Sequence, residues 1–516
     1  MNSSYSDAVL EVAIVGAGFT GLGAGIQLKR AGITSFRIFE KASAVGGVWR
    51  DNRYPGLCCD IPSHLYSYSF APNPRWSRRY ASGREIWAYQ QHCHQKFGMG
   101  KFISYGMEVT AATYDERAAL WVLDFRSGDQ IRARNLISMP RGLSQPQYPI
   151  IDGIESFTGA TMHTARWDED YDFRGKHVGV IGNAASGLQA IPQLAKIAES
   201  VTVFQRTPNW VLPRNDQAYS ALSKALFRWL PGAQKLHRLQ LFLKQELIHP
   251  ALKNPNGVLH RQLTRKALAY LHRTIKDPVL RSKLTPDFRL GCKRILVSDD
   301  YFSALLLPNV KLETAAIAGV AGNEVTIADG STRHADVLVF ATGFRSIEEM
   351  PFAITGRQGQ SLAQAWRDAP AAYLGVTTAG FPNLFMPLGP NSGFGHQSAL
   401  FVIERHVNYI VGCIRHAARN RLRSMEVRPD VQSAYNEGVQ QRFQGTVWTG
   451  NCSSWYKNQT GRIVTNTPDS GFAYWRRLMR PDFAHFVVEP AHVEPNAVVP
   501  LVNASTASEE SNDANN

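Results

Sequence analysis

The sequence predicts an α/β protein built from two Rossmann-like domains with a helical insertion. Three observations lead there. Two short apolar runs, Val12-Ala13-Ile14-Val15 and Val178-Gly179-Val180-Ile181, are each followed by a glycine-rich turn and a helical pattern. A long basic stretch with helical periodicity comes after the second unit. Unbroken apolar runs of this length suit strands buried on both faces of a parallel sheet.

The first turn reads Gly16-Ala17-Gly18-Phe19-Thr20-Gly21. In such a loop the first glycine permits the tight turn, the second lets the backbone approach a pyrophosphate, and the third allows close helix packing. The phosphate then rests on the free N–H groups at the helix N-terminus. Glu40 ends the next apolar run, Phe36 to Glu40, where its carboxylate can accept hydrogen bonds from ribose hydroxyls. This unit is expected to bind a dinucleotide but does not by itself separate FAD from NAD.

The second turn, Gly182-Asn183-Ala184-Ala185-Ser186-Gly187, opens a helix that carries Gln189, and it has alanine at the second glycine position. The following run ends Phe204-Gln205-Arg206-Thr207, so a cation and a hydroxyl stand where the ribose-binding acid is expected. That pair suits a 2′-phosphate and disfavours unphosphorylated NAD. The plainer reading of Arg206 is a surface arginine after a strand. Two dinucleotide sites in one chain imply electron transfer from NADPH to a flavin.

Residues 121–125 and 131–137 alternate as antiparallel strands do, and 336–340 reads as another buried strand leading into Ala341-Thr342-Gly343. The last fourteen residues, 503–516, are polar and expected to be disordered. The expected division is a FAD-binding domain in two parts, 1–145 and 342–490, around an NADPH-binding domain, 146–341, that includes the helical insertion 219–283.

Composition agrees with a globular enzyme, with 44% hydrophobic and 19% charged residues. No apolar run is long enough to span a bilayer, and the polar first ten residues hold no basic residue, so the cytosol is the expected location. Six cysteines lack metal-ligand spacing; they read as buried or incidental thiols, and no metal site is expected. The net charge of +14 is regional: residues 219–283 hold thirteen Lys or Arg against two acids, a net +11. A nucleic-acid partner is therefore not expected.

Between the two units runs Phe157-Thr158-Gly159-Ala160-Thr161-Met162-His163-Thr164-Ala165-Arg166-Trp167-Asp168. At every specified position it resembles the FxGxxxHxxxW(P/D) fingerprint of type I Baeyer–Villiger monooxygenases. Gly46-Gly47-Val48-Trp49, Tyr54-Pro55-Gly56 and Asp60 match that family's second signature. The likeness extends over 284–294, Ala341-Thr342-Gly343-Phe344 and Gly380-Phe381-Pro382-Asn383, and so covers most of the chain from Val12 to about Phe486.

The resemblance implies that NADPH reduces FAD, that O2 forms a C4a-peroxyflavin, and that this converts a ketone to an ester or lactone. It implies Arg294 as the fixed cation beside the developing negative charge and Asp60 as its partner. Arginine suits that task because it stays charged and its planar fork orients hydrogen bonds. Gly47, Val48, Trp49, Asp60, Tyr66 and Val109 match positions that line FAD, and Lys293 matches one that contacts the 2′-phosphate. His163 and Trp167 are expected at the domain junction, not in proton transfer. The plainer reading of Arg294 and Asp60 is a structural ion pair.

Where the family has a small-residue turn after the first FAD segment, this chain has Met139-Pro140-Arg141. Proline lacks an N–H, and arginine replaces a glycine of positive φ only at a cost. With Ala184, this leaves the efficiency of coupling open. For the basic insertion, the favoured reading is amphipathic helices packed inward with solvated cations outside. The alternative is a weak peripheral contact with anionic lipid, with Phe227, Trp229 and Phe242 near the interface. Oligomeric state is left open.

Three further functions compete with ketone oxygenation. One is a same-class oxygenase acting on nitrogen or sulfur. Another is a disulfide reductase, which the adjacent Cys58-Cys59 disfavours. The third is an inactive flavoprotein that serves as a binding module.

Overall fold

The computed structural model describes residues 9–140, 145–344 and 350–491. Arg141 and the tail 503–516 lie outside them. The chain begins with β1 (Leu10–Val15), α1 (Phe19–Arg30), β2 (Phe36–Glu40), α2 (Val48–Asp51), α3 (Gly83–Lys96), β3 (Ile103–Tyr105), β4 (Val109–Asp115), β5 (Leu120–Phe125) and β6 (Gln130–Ser138). The second unit holds β7 (Ala160–His163), β8 (His177–Ile181), α4 (Ala185–Leu194), β9 (Ser200–Phe204) and β10 (Val211–Leu212). Five helices follow: α5 (Ala221–Trp229), α6 (Ala233–Glu246), α7 (His249–Lys253), α8 (Val258–Thr274) and α9 (Pro278–Leu284). The unit ends with β11 (Leu296–Val297), α10 (Tyr301–Ala304), β12 (Val310–Glu313), β13 (Ile317–Ala321), β14 (Glu324–Ile327), β15 (Thr332–His334) and β16 (Val337–Phe340). The remainder is β17 (Ala353–Thr355), α11 (Leu362–Ala365), β18 (Leu384–Phe385), α12 (Ala399–Arg419), β19 (Leu422–Val427), α13 (Pro429–Phe443), α14 (Gly471–Arg477) and β20 (Phe486–Pro490).

Two sheets position everything else. The larger runs β17-β4-β5-β6-β1-β2-β3, with β18 beside β6; the smaller is the parallel β12-β9-β8-β16-β7. β1 and β8 occupy interior positions, which is why their sequences are apolar without alternation: Val12, Ile14, Val178 and Val180 are almost wholly buried. β6 shows both regimes in one strand. It alternates exposed and buried residues where it pairs antiparallel with β5, then is buried throughout where it enters the sheet parallel to β1. The first sheet therefore contains strands from both ends of the chain, and β18 pairs Leu384 with Leu136 of β6. α12 packs on α1 in the same core as Ile14, Leu22, Val407 and Ile410. Burying each such side chain contributes about 1.5–3 kcal/mol.

The insertion corrects one expectation. α7 and α8 bury an apolar stripe, including Leu252, Ala267 and Leu271. α5 buries no residue, and α6 buries only Leu241. Leu222 (70% exposed), Trp229 (72%), Leu236 (58%) and Leu247 (70%) face outward. The cause is what α6 turns inward. Arg238 donates to the backbone carbonyls of His64 (2.6 Å) and Ser67 (2.9 Å), and it lies 3.8 Å from the buried carboxylate of Glu404. Phe227 and Phe242 are half-buried, the first against His64 and His237, the second against Phe401.

Candidate active site

The first glycine loop hangs between β1 and α1. Gly16 has φ +89°, a value that favours glycine, and its N–H donates to the Phe39 carbonyl at 2.8 Å. Gly18 is the N-cap of α1, and the helix has neither a side-chain cap nor an acid in its first turn. Its leading N–H groups are thus available to an anion. Gly47 lies across from Gly18, and a Cβ on Gly47 would come within 3.1 Å of the Gly18 Cα. The two bare backbones leave a cradle that a side chain would fill, which fits a dinucleotide pyrophosphate. Glu40 is buried at the end of β2 and accepts from the N–H groups of Ala17 (2.7 Å) and Ala42 (3.0 Å) and from Arg50 Nη1 (3.2 Å). Arg50 follows Trp49 directly, yet nothing in its spacing marked it as the partner of Glu40.

Phe19, Trp49 and Tyr66 meet beside this cradle. Trp49 Nε1 donates to Tyr66 Oη at 3.0 Å, and the Tyr66 ring packs edge-on against Phe19. Val48 opens α2, and Val109 is buried at the start of β4 just after Met107, whose N–H donates to the Glu40 carbonyl. Thr20 Oγ1 donates to Met139 Sδ at 3.2 Å, so the irregular turn after β6 packs directly on the glycine loop.

The second loop repeats the first between β8 and α4. Gly182 has φ +99°, and a Cβ there would lie 2.7 Å from the Ala341 carbonyl oxygen. Ala184 is the N-cap of α4 with φ −77° and ψ −157°, nearly the values of Gly18 (−76° and −169°). Any residue adopts that extended backbone, so the alanine adds only an exposed methyl and strains nothing. Asn183 donates to Gln205 Oε1 at 2.6 Å, and Ser186 and Gly187 lie in the first turn of α4. Beyond β9, Lys293 Nζ donates to Thr207 Oγ1 at 3.1 Å. Burial, and then the nearby charge of Arg206, lower the Lys293 pKa. Two cations crowded together at a hydroxyl fit a dianionic phosphate.

Between the loops, Arg294 pairs with Asp60 through Nε (3.0 Å) and Nη2. The Asp60 carboxylate raises the Arg294 pKa further and outweighs the cost of burial, so the guanidinium stays charged. Tyr456 lies close enough that Arg294 opposes the rise burial imposes on its phenol. Gln189 on α4 holds this junction: it donates to the Cys58 carbonyl (3.1 Å) and accepts from Tyr54 Oη (2.9 Å) and the Cys58 N–H (3.3 Å). The involvement of Tyr456 had no signal in the sequence.

The cysteines need a correction. Cys292 and Cys452, 160 residues apart, form a disulfide; they are not incidental thiols. It fastens the Gly291–Arg294 loop to the C-terminal segment. Position in the sequence carries no hint of the pairing. Cys58 and Cys59 are free, and burial pushes the Cys58 thiol up to about 11, so neither is poised for disulfide exchange.

The segment 157–168 forms the edge of the smaller sheet. β7 pairs with β16, placing His163 opposite Phe340. His163 is fully buried, its ring packing edge-on against Tyr148 and Phe344, on the two connecting segments joined by the Pro146–Phe344 bridge. Burial lowers its pKa to about 4, partly offset by the Gly343 backbone, so the ring is neutral at pH 7. Trp167 stacks on Phe173 inside the second unit's core.

A family profile described as pyridine nucleotide-disulphide oxidoreductase matches residues 13–228. Over 95% of its length the chain is 40% identical to a Baeyer-Villiger monooxygenase of Streptomyces coelicolor, covering 94% of that protein. Over 92% it is 40% identical to a Baeyer-Villiger monooxygenase of Pseudomonas aeruginosa, covering 90%. The crystal structure of OTEMO in complex with FAD and NADP superposes with a TM-score of 0.83 at 26% identity, over 93% of this chain and 99% of that one. With such identity across nearly the full length of both relatives, the chain belongs to the Baeyer–Villiger monooxygenase family.

Proposed function

We propose that this chain uses NADPH and O2 to convert a ketone to an ester or lactone, with FAD on the first glycine loop and NADPH on the second. The observation that carries this reading is the Asp60–Arg294 pair at the junction of the two loops. When bound, the reduced flavin supplies the oxygen-transfer chemistry. The chain's own part is electrostatic and geometric. Arg294, kept charged by Asp60, faces the negative charge that develops on the ketone oxygen as the carbonyl is attacked. The open N-termini of α1 and α4 hold the two pyrophosphates, and Glu40 binds the FAD ribose. Phe19, Thr20, Gly47, Val48, Trp49, Tyr66 and Val109 line the flavin nucleotide. Asn183, Ser186 and Gln189 position NADPH, while Arg206, Thr207 and Lys293 read its 2′-phosphate. The division into 1–145, 146–341 and 342–490 follows from these assignments. The cytosol, where NADPH is regenerated, is the compartment this activity suits; among the described residues no helix is long and apolar enough to cross a membrane.

The test is turnover of purified holoenzyme on a panel of ketones, amines and sulfides, following both NADPH consumption and product mass. Ester or lactone formation supports the reading. N- or S-oxide as the sole product assigns the chain to heteroatom oxygenation instead, and NADPH oxidation without any oxygenated product would remove the reading altogether.

A further inference from the structure

We propose that the α5–α6 hairpin, together with α14, docks on the surface of an anionic lipid bilayer. The apolar residues of α6 that stay in solvent recur at 236, 239 and 243, with Leu247 at its C-cap, and those of α5 at 222, 226 and 229. Spacings of three and four place each set on one helix face. The faces continue onto α14. Phe472 packs on Phe242 with ring centroids 5.2 Å apart, Glu246 accepts from the Gly471 N–H at 3.0 Å, and Phe472, Trp475 and Met479 are exposed. A contiguous apolar surface of this kind marks a site of interaction.

The face cannot fold away. The opposite side of α6 is fastened by Arg238 to the His64 and Ser67 carbonyls, and His237 and Gln234 hydrogen-bond to Tyr219 and His64. Turning the leucines inward would pull the half-buried Arg238 guanidinium off its carbonyl partners.

Charge selects the occupant. Arg228, Lys235 and Lys244 are exposed beside the leucines, and Arg476 and Arg480 beside Trp475. The only acid on α5 or α6 is Glu246, which is half-buried and occupied by the Gly471 N–H and Gln397. A second copy meeting this face about a two-fold axis would bring like charges together. An anionic lipid surface instead meets the cations with phosphates and takes the leucines and Trp229 at the headgroup boundary, the arrangement of an interfacial amphipathic helix.

The experiment is sedimentation of the full-length holoenzyme with vesicles of phosphatidylcholine alone or mixed with phosphatidylglycerol. Expected is binding to the mixed vesicles that weakens with salt and falls about fivefold for each of Lys235→Glu and Lys244→Glu. Leu239→Asp with Leu243→Asp should abolish it while flavin content and NADPH oxidation stay unchanged, since both side chains are exposed on the face of α6 opposite Arg238. Absence of binding, or equal binding to both vesicle types, overturns the proposal. So does unchanged binding by the leucine variant. A dimer in sedimentation velocity that Leu239→Asp dissociates would assign the face to a second copy and overturn the lipid assignment. None of these readouts depends on which substrate is oxygenated.

Discussion

Asp60 and Arg294, 234 positions apart, meet between the two glycine loops, with Arg294 Nε 3.0 Å from the Asp60 carboxylate. Asp60 follows the Tyr54–Cys59 stretch, which Gln189 ties to α4, and Arg294 ends the loop held by the Cys292–Cys452 bond. The pair is thus braced from both sides. An ion pair that served only stability could be replaced at small cost, whereas a cation placed for chemistry could not.

Arg294→Ala is expected to keep its flavin and to lower the rate of ester formation by about 10²–10³-fold, the cost of removing one preorganised charge. Asp60→Asn should lower it less, because the arginine remains. Product mass under single-turnover conditions checks this, and full ester yield from the alanine variant contradicts the assignment.

Arg206→Ala and Lys293→Ala should each raise the KM for NADPH by about 10- to 100-fold, since a charge-assisted hydrogen bond contributes about 1.5–3 kcal/mol. The KM for NADH should hardly move. Equal rises for both nucleotides would place these cations elsewhere than at the 2′-phosphate.

Closing a loop of 160 residues with the Cys292–Cys452 bond is expected to contribute about 2–4 kcal/mol of stability. Cys452→Ser should lower the unfolding free energy by that amount and also raise the KM for NADPH, because Lys293 sits beside Cys292. Peptide mapping without reductant reads the bond directly, and free thiols at both positions would rule it out.

His64, His163 and His406 are buried, and burial lowers their pKa values to about 3, about 4 and about 3. In an unfolded chain each titrates near about 6.5. As pH falls the unfolded state takes up protons first, so stability present above about 6.5 is lost on the way toward the folded-state values. From about pH 6.5 to 5 the unfolding free energy should drop by about 1 kcal/mol per pH unit for each histidine, the slope approaching about 1.4 as the unfolded side chain becomes fully protonated. Urea midpoints across that range measure the slope, and His406→Gln should make it shallower by one histidine's share.

The signals legible in the sequence were local ones. A tight turn after a buried strand needs glycine at Gly16 and Gly182, and a both-faces-buried strand needs an unbroken apolar run such as residues 178–181. Such requirements are met within a few residues, so they leave a readable pattern. At Ala184 the backbone is extended and suits any residue, so what the second glycine position asks for is space beside the pyrophosphate, and the irregularity is readable in the pattern.

By itself, the sequence determined the two nucleotide units, their order, the identity of the candidate site residues and the family the chain resembles. Only the tertiary structure decided which distant residues meet. Tyr456 beside Arg294 and Cys292 with Cys452 are contacts made by chain closure, which leaves no spacing rule behind. It also decided which way α6 faces. Helical periodicity defines an apolar stripe but not the direction it points; burying Arg238 among carbonyls and near Glu404 turned the leucines toward solvent.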